Sequence, residues 1–194
     1  MPYPVVHVLF FLFCVCAVAV YAATKALYRK ELSFRNSRTL LLLMFVGGLC
    51  TLFPDMPAVY NLLVNGTIEH CWIGPIPTHS LLFSSTAILF GGVVGYAAYR
   101  EFNKAVYMAI FAESAFLTHL LLDDMAKAGC DYLYPLYNKP ISVFSIMDTG
   151  FAEVGLFKYL IFSFVSVFCV FIVILMALFA LSRFGFEFSY RSEK

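Results

Sequence analysis

The segment Thr118-His119-Leu120-Leu121-Leu122-Asp123-Asp124 closes an apolar run that begins near Ala105. In a helix, residues four apart lie on one face, one turn above the other. His119 and Asp123 therefore point the same way, with the acid nearer the water. An imidazole and a carboxylate in that relation either ligate one metal ion together or form a His–carboxylate pair. At the mouth of a membrane helix, such ionisable groups mark a functional site by default.

Composition decides that the helix is a membrane helix. Of 194 residues, 62% are hydrophobic, 18% aromatic and only 13% charged, and the mean hydropathy is +0.85. Soluble domains carry about 25% charged residues, so this is the composition of an integral membrane protein. Spanning a bilayer takes roughly 20 apolar residues, and five segments meet or approach that length: 3–23, 39–53, 79–99, 105–122 and 157–181. The second is short, and is completed by tilting or by running back through Phe34. Met1-Pro2-Tyr3-Pro4 places no positive charge ahead of the first segment, which favours a retained helix over a cleaved signal peptide. With no repeat, low-complexity tract or long polar linker, residues 1–194 read as a single integral membrane domain. The expected fold is all-α, a polytopic bundle of about five transmembrane helices. So few charges, and no basic aromatic motif, argue against a nucleic-acid partner.

The connections between segments differ in charge. Lys25, Arg29, Lys30, Arg35 and Arg38 follow the first segment, Arg100 and Lys104 the third, and Arg183, Arg191 and Lys194 the fifth. If five spans alternate, all of these fall on one side. The other side holds Asp55, Glu69, Asp123, Asp124, Asp131, Asp148 and Glu153, with just Lys127, Lys139 and Lys158. By the positive-inside rule the amino terminus is outside and the carboxyl terminus cytoplasmic.

On that topology the polar residues converge. His7 lies at the outer end of the first helix and Asp55 at that of the second. His79, in Pro77-Thr78-His79-Ser80, opens the third, while His119 and Asp123 close the fourth. Each has an ordinary reading by itself. A lone His is more often an interfacial or hydrogen-bonded residue, Asp55 can cap a loop helix, Thr78 and Ser80 can cap the third helix, and Asp123 and Asp124 can be solvated end-of-helix acids. Coincidence at one depth favours a shared metal or proton-transfer site. Histidine with aspartate suits zinc or iron and leaves manganese open. Glu113 sits six residues before His119, about 120° around the helix, and is expected to bond to a neighbouring helix. Glu69 and His70 either reach the site or are solvated, and Asn65-Gly66-Thr67 fits a glycosylation acceptor. Asp148 and Glu153 read as loop residues. Cys71 and Cys130 flank the proposed site, and in an oxidising compartment they are candidates for a disulfide.

The order His7, Pro54-Asp55, Thr78-His79-Ser80-Leu81-Leu82, His119-Leu120-Leu121-Leu122-Asp123, Gly129 and Leu133-Tyr134-Pro135-Leu136 resembles the YdjM-like family of membrane-bound metal-dependent hydrolases, over roughly Pro4 to Val143. That resemblance implies an all-helical membrane fold distantly like the zinc-dependent phospholipase C enzymes, with His7, Asp55, His79, His119 and Asp123 at the ligand positions. Two features depart from the family pattern. Gly74-Pro75-Ile76 stands where members often have His-Arg-Gly, and Met56-Pro57 where Pro-Asp is commonly followed by Ile-Asp. One carboxylate fewer favours a single ion, or brings in Glu69, His70 or Asp124 as a substitute ligand.

The expectation is a multi-pass cell-membrane protein that hydrolyses an ester or phosphoester of a lipid. A divalent ion, zinc first, is held by His79, His119 and Asp123 with His7 or Asp55, and Asp55 or Asp124 serves as general base. The alternative is a non-enzymatic metal-binding, transport or sensor protein. Helix five carries no candidate ligand.

Overall fold

The computed structural model describes residues 4–28, 37–67, 69–125, 129–143 and 156–185. The basic loop residues Arg29, Lys30 and Arg35, with Lys127, Asp148 and Glu153, lie outside them. Six α-helices and one small hairpin follow in chain order: α1 (Pro4–Tyr28), α2 (Ser37–Cys50), a 3-10 turn (Phe53–Asp55), α3 (Met56–Asn65), β1 (Trp72–Ile73), β2 (Ile76–Pro77), α4 (Leu81–Tyr99), α5 (Phe102–Met125) and α6 (Leu156–Arg183).

Five helices are long and apolar enough to cross a membrane: Pro4–Tyr28, Thr39–Asn65, Leu81–Tyr99, Phe102–Met125 and Leu160–Arg183. The protein is thus a multi-pass helical membrane protein, as its composition requires. The second span differs from expectation. It is completed by continuing forward, through a kink, as far as Asn65. Proline explains the kink: Pro54 and Pro57 bring no amide proton, yet proline is tolerated in the first turn of a new helix. At the break Asp55 N–H turns back to Leu52 O at 3.1 Å, so the Thr51 carbonyl loses the partner that a continuous helix would supply. The antiparallel β1–β2 hairpin, with Trp72 opposite Pro77, was not expected from the sequence.

Packing centres on α5. The helix runs along α4, back from it after the tight turn at Arg100, and also touches α2; α6 lies on α1. Phe11, Val46, Ala87, Met108, Ala112, Ala115, Phe116 and Leu120 form the buried core. Small residues let α4 approach closely. A Cβ on Gly91 would lie 2.5 Å from Ala112 Cβ and 2.7 Å from the Met108 carbonyl oxygen. Residues 129–143 fold back over the ends of α4 and α5, closed by paired backbone hydrogen bonds between Cys130 and Ile141 and anchored by Leu81 N–H on Tyr132 O.

Candidate metal centre

Chain direction brings the site to one end of the bundle. α1 starts there, α2 ends there in its kink, α4 starts there and α5 ends there. His7, Asp55, His79, His119 and Asp123 thereby meet, at two overlapping groups of ligand atoms: His7, His119 and Asp123, and Asp55, His79 and His119.

Asp123 is the hub. Its Oδ2 lies 3.0 Å from His79 Nε2 and 3.4 Å from His119 Nε2, and its Oδ1 lies 3.3 Å from His7 Nε2. Asp55 Oδ1 is 3.7 Å from the Nε2 of both His79 and His119. Those two nitrogens are 3.3 Å apart. The His7 and His119 rings stack with centroids 3.7 Å apart.

The far side of each key imidazole is fixed by the chain around it. A carbonyl only accepts, so His119 Nδ1–H donates to Thr51 O at 2.6 Å, the very carbonyl that the proline kink frees. The Thr78 hydroxyl donates towards the carbonyls of Pro54 (2.7 Å) and His70 (3.0 Å). Its lone pair then accepts from His79 Nδ1–H at 3.3 Å. Both rings therefore turn an Nε2 lone pair inward, the arrangement in which histidine ligates metals. Ser80 caps α4, accepting from Phe83 N–H at 3.2 Å, and so sets where His79 enters. Asp55 occupies the capping position of α3 but makes no side-chain cap bond, which leaves its carboxylate for the histidines.

The donor set fits a cation. Two imidazole lone pairs and carboxylate oxygens converge, and neither Asp123 oxygen nor either His7 nitrogen has a hydrogen-bond partner among the described residues. Buried acceptors without donors are costly unless a positive charge satisfies them. Ligand atoms about 2.0–2.1 Å from a tetrahedral zinc ion are about 3.3–3.4 Å from one another. The separations among His79, His119, Asp123 and Asp55 given above, from 3.0 to 3.7 Å, bracket that value.

Asp124 is differently employed. Its carboxylate accepts from Val143 N–H at 2.9 and 3.1 Å and from the Tyr132 hydroxyl at 3.1 Å, so its oxygens are spent holding the 129–143 loop. Glu69 and His70 contribute backbone carbonyls, to Asn61 Nδ2 and to Thr78; the His70 ring lies 5.9 Å from that of His79. Glu113 is outside the cluster, and its Oε2 is buried with no hydrogen-bond partner among the described residues, contrary to the interhelical bond expected of it. Cys71 and Cys130 are free thiols. Burial, with the Asp123 carboxylate nearby, pushes the Cys130 thiol up to about 12, and burial also raises the Tyr132 phenol. Sequence reading missed the Thr51 carbonyl and the part of Thr78 in orienting His79. The available signals were Pro54, three residues after Thr51, and the adjacency of Thr78 to His79.

A profile of the YdjM inner membrane protein family matches residues 5–188. The chain belongs to the YdjM inner membrane protein family. No curated protein and no solved structure matches it. The match to the YdjM family spans every residue of the cluster and extends past Val143 through α6, further than the motifs alone reached.

Proposed function

We propose that this YdjM-family protein is a membrane-embedded, metal-dependent hydrolase with its site at the extracytoplasmic membrane interface, acting on an ester or phosphoester of a lipid. The observation that carries the proposal is the inward convergence of the His79 and His119 Nε2 lone pairs on the buried Asp123 carboxylate. Two imidazoles and a carboxylate suit zinc ahead of iron or manganese. His79, His119 and Asp123 would hold the ion, with His7 Nε2 lying 3.3 Å from the second Asp123 oxygen. When bound, such an ion supplies Lewis acidity and lowers the pKa of water towards 7.

The protein's own groups account for the rest of the chemistry. Asp55 is the most open of the five, its side chain 13% exposed against 4% for His79 and 1% for Asp123. It also lies farther from the two imidazoles than Asp123 does. That position suits a general base, which must reach the attacking water without being held by the ion. Thr51 and Thr78 hold His119 and His79 in one tautomer and orientation. The extracytoplasmic placement follows from the Lys and Arg residues at the opposite ends of the spans. Transport finds less support, because the core below the cluster is Leu120, Phe116, Ala115 and Ala112, and the described residues of that core offer no polar route.

The test is metal analysis of purified protein together with hydrolysis of phospholipid and neutral lipid esters, for wild type and His119→Ala. The expected result is about one equivalent of zinc in the wild type, with metal and hydrolysis reduced by roughly 100-fold or more in the variant. Metal and activity retained in His119→Ala would refute the reading. Metal bound without hydrolysis would favour the binding or sensor alternative.

A further inference from the structure

From the geometry around Asp55 we infer that α3 and the β1–β2 hairpin are seated in the lipid leaflet on the site's side of the membrane, so that the mouth of the site opens onto lipid and not onto water. The carrying observation is an uncharged apolar surface that continues a membrane span directly past the site.

α3 is the continuation of the second span, Thr39–Asn65. On one face Pro57 is buried and Asn61 half-buried. Asn65 Nδ2 donates to Asn61 Oδ1 at 2.9 Å, and Asn61 Nδ2 donates to Glu69 O at 2.7 Å, which ties the helix to the start of the hairpin. The other faces expose Met56, Val59, Tyr60, Leu62, Leu63 and Val64, with Leu63 80% exposed. No residue of α3 is charged. On the hairpin, Trp72, Ile73 and Ile76 are exposed as well.

Length decides where that surface lies. α2 has 14 residues and α3 has 10, which at 1.5 Å per residue are about 21 and 15 Å long. α2 alone falls short of the roughly 30 Å hydrocarbon core, and the whole span of 27 residues exceeds it by about 10 Å. Standing upright, α3 would carry its leucines and valines into water. Bent at Pro54-Asp55-Met56-Pro57, it keeps them in the lipid that already surrounds α2, as interfacial helices do. The hairpin's tryptophan, Trp72, paired with Pro77 at the open end of the strands, belongs at the same level. Asp55, the most open member of the cluster, immediately precedes Met56, which is 55% exposed. The approach to the cluster thus runs along α3, and an amphiphile with its chains beside α3 would bring its polar linkage to Asp55. Only this last use rests on the hydrolase reading; the seat in lipid does not.

Trp72 is the only tryptophan in the chain, so fluorescence tests the proposal without metal or activity. The protein is reconstituted in phosphatidylcholine brominated near the glycerol end of one acyl chain. Emission is compared with that in the unbrominated lipid, and with quenching by aqueous iodide. The expected result is a fall of about twofold or more with bromolipid and little effect of iodide. Met56→Trp in a Trp72→Phe background moves the reporter to the mouth itself, where the same result is expected. Strong iodide quenching at either position, or quenching by neither agent because protein covers the surface, would overturn the proposal. Wild-type Trp72 decides it alone if the double variant does not fold.

Discussion

Asp123 and Asp124 are neighbours with opposite employment. Helix geometry turns successive side chains about 100° apart. Asp123 therefore faces three histidines, while Asp124 faces the returning loop and accepts hydrogen bonds from Val143 N–H and the Tyr132 hydroxyl. Removing the Asp124 carboxylate, itself fully buried, takes the acceptor from Val143 N–H and from the Tyr132 hydroxyl, a loss of about 1.5–3 kcal/mol for hydrogen bonds to a charged group. Asp124→Ala is accordingly expected to lower the melting temperature in detergent while metal content stays at the wild-type level. If the melting temperature holds and the metal is lost, Asp124 belongs to the centre after all. The spacing of four between His119 and Asp123 was legible in the sequence, because one helix alone decides it. Which of two adjacent acids meets the histidines was not, because that depends on how α5 is rotated against α1 and α4.

At the scale of elements, the close pairing of α4 with α5 sets the distance between His79, just ahead of the Ser80 cap of α4, and His119 on α5. Gly91 and Gly92 separate the packing effect from the effect of helix propensity. Alanine in place of glycine gains up to about 1 kcal/mol in a helix interior. At Gly92 the added Cβ meets only Ala109 Cβ at 3.8 Å, an ordinary contact, so Gly92→Ala should be neutral or stabilising. At Gly91 it would press on the Met108 carbonyl oxygen, which is backbone and cannot rotate away. Overpacking of that kind costs about 1–3 kcal/mol and outweighs the propensity gain. Gly91→Ala should therefore unfold at lower temperature than wild type, and equal stability of the two variants would show that the helices are not in close contact. The kink in the second span was the element least legible from sequence. The apolar run ends at Phe53, and only the tertiary structure shows that the span continues to Asn65 and that the freed Thr51 carbonyl holds His119.

For the molecule as a whole, the site lies at the membrane end away from the Lys- and Arg-bearing helix termini. The orientation read from those charges makes a direct prediction. Leu136 is 91% exposed in the loop beside the site and Tyr28 is 92% exposed at the far end of α1. In intact cells a membrane-impermeant maleimide should label Leu136→Cys and leave Tyr28→Cys unlabelled until the membrane is opened. The reverse pattern would invert the protein and move the proposed chemistry to the cytoplasmic face. α6 is the least enclosed span, packed on α1 with most of its surface turned outward, and it brings no ligand to the cluster.

Hydrophobic length and charge distribution are properties of single segments, and the chain alone therefore determined that this is a helical membrane protein with five spans. Alternation of those spans was enough to bring His7, Asp55, His79, His119 and Asp123 to a common depth. Depth is one coordinate of three. Rotation of each helix about its axis, the bend after α2, and the hydrogen bonds that turn Nε2 of His79 and His119 inward arise from contacts between segments distant in sequence, and only the tertiary structure decided them.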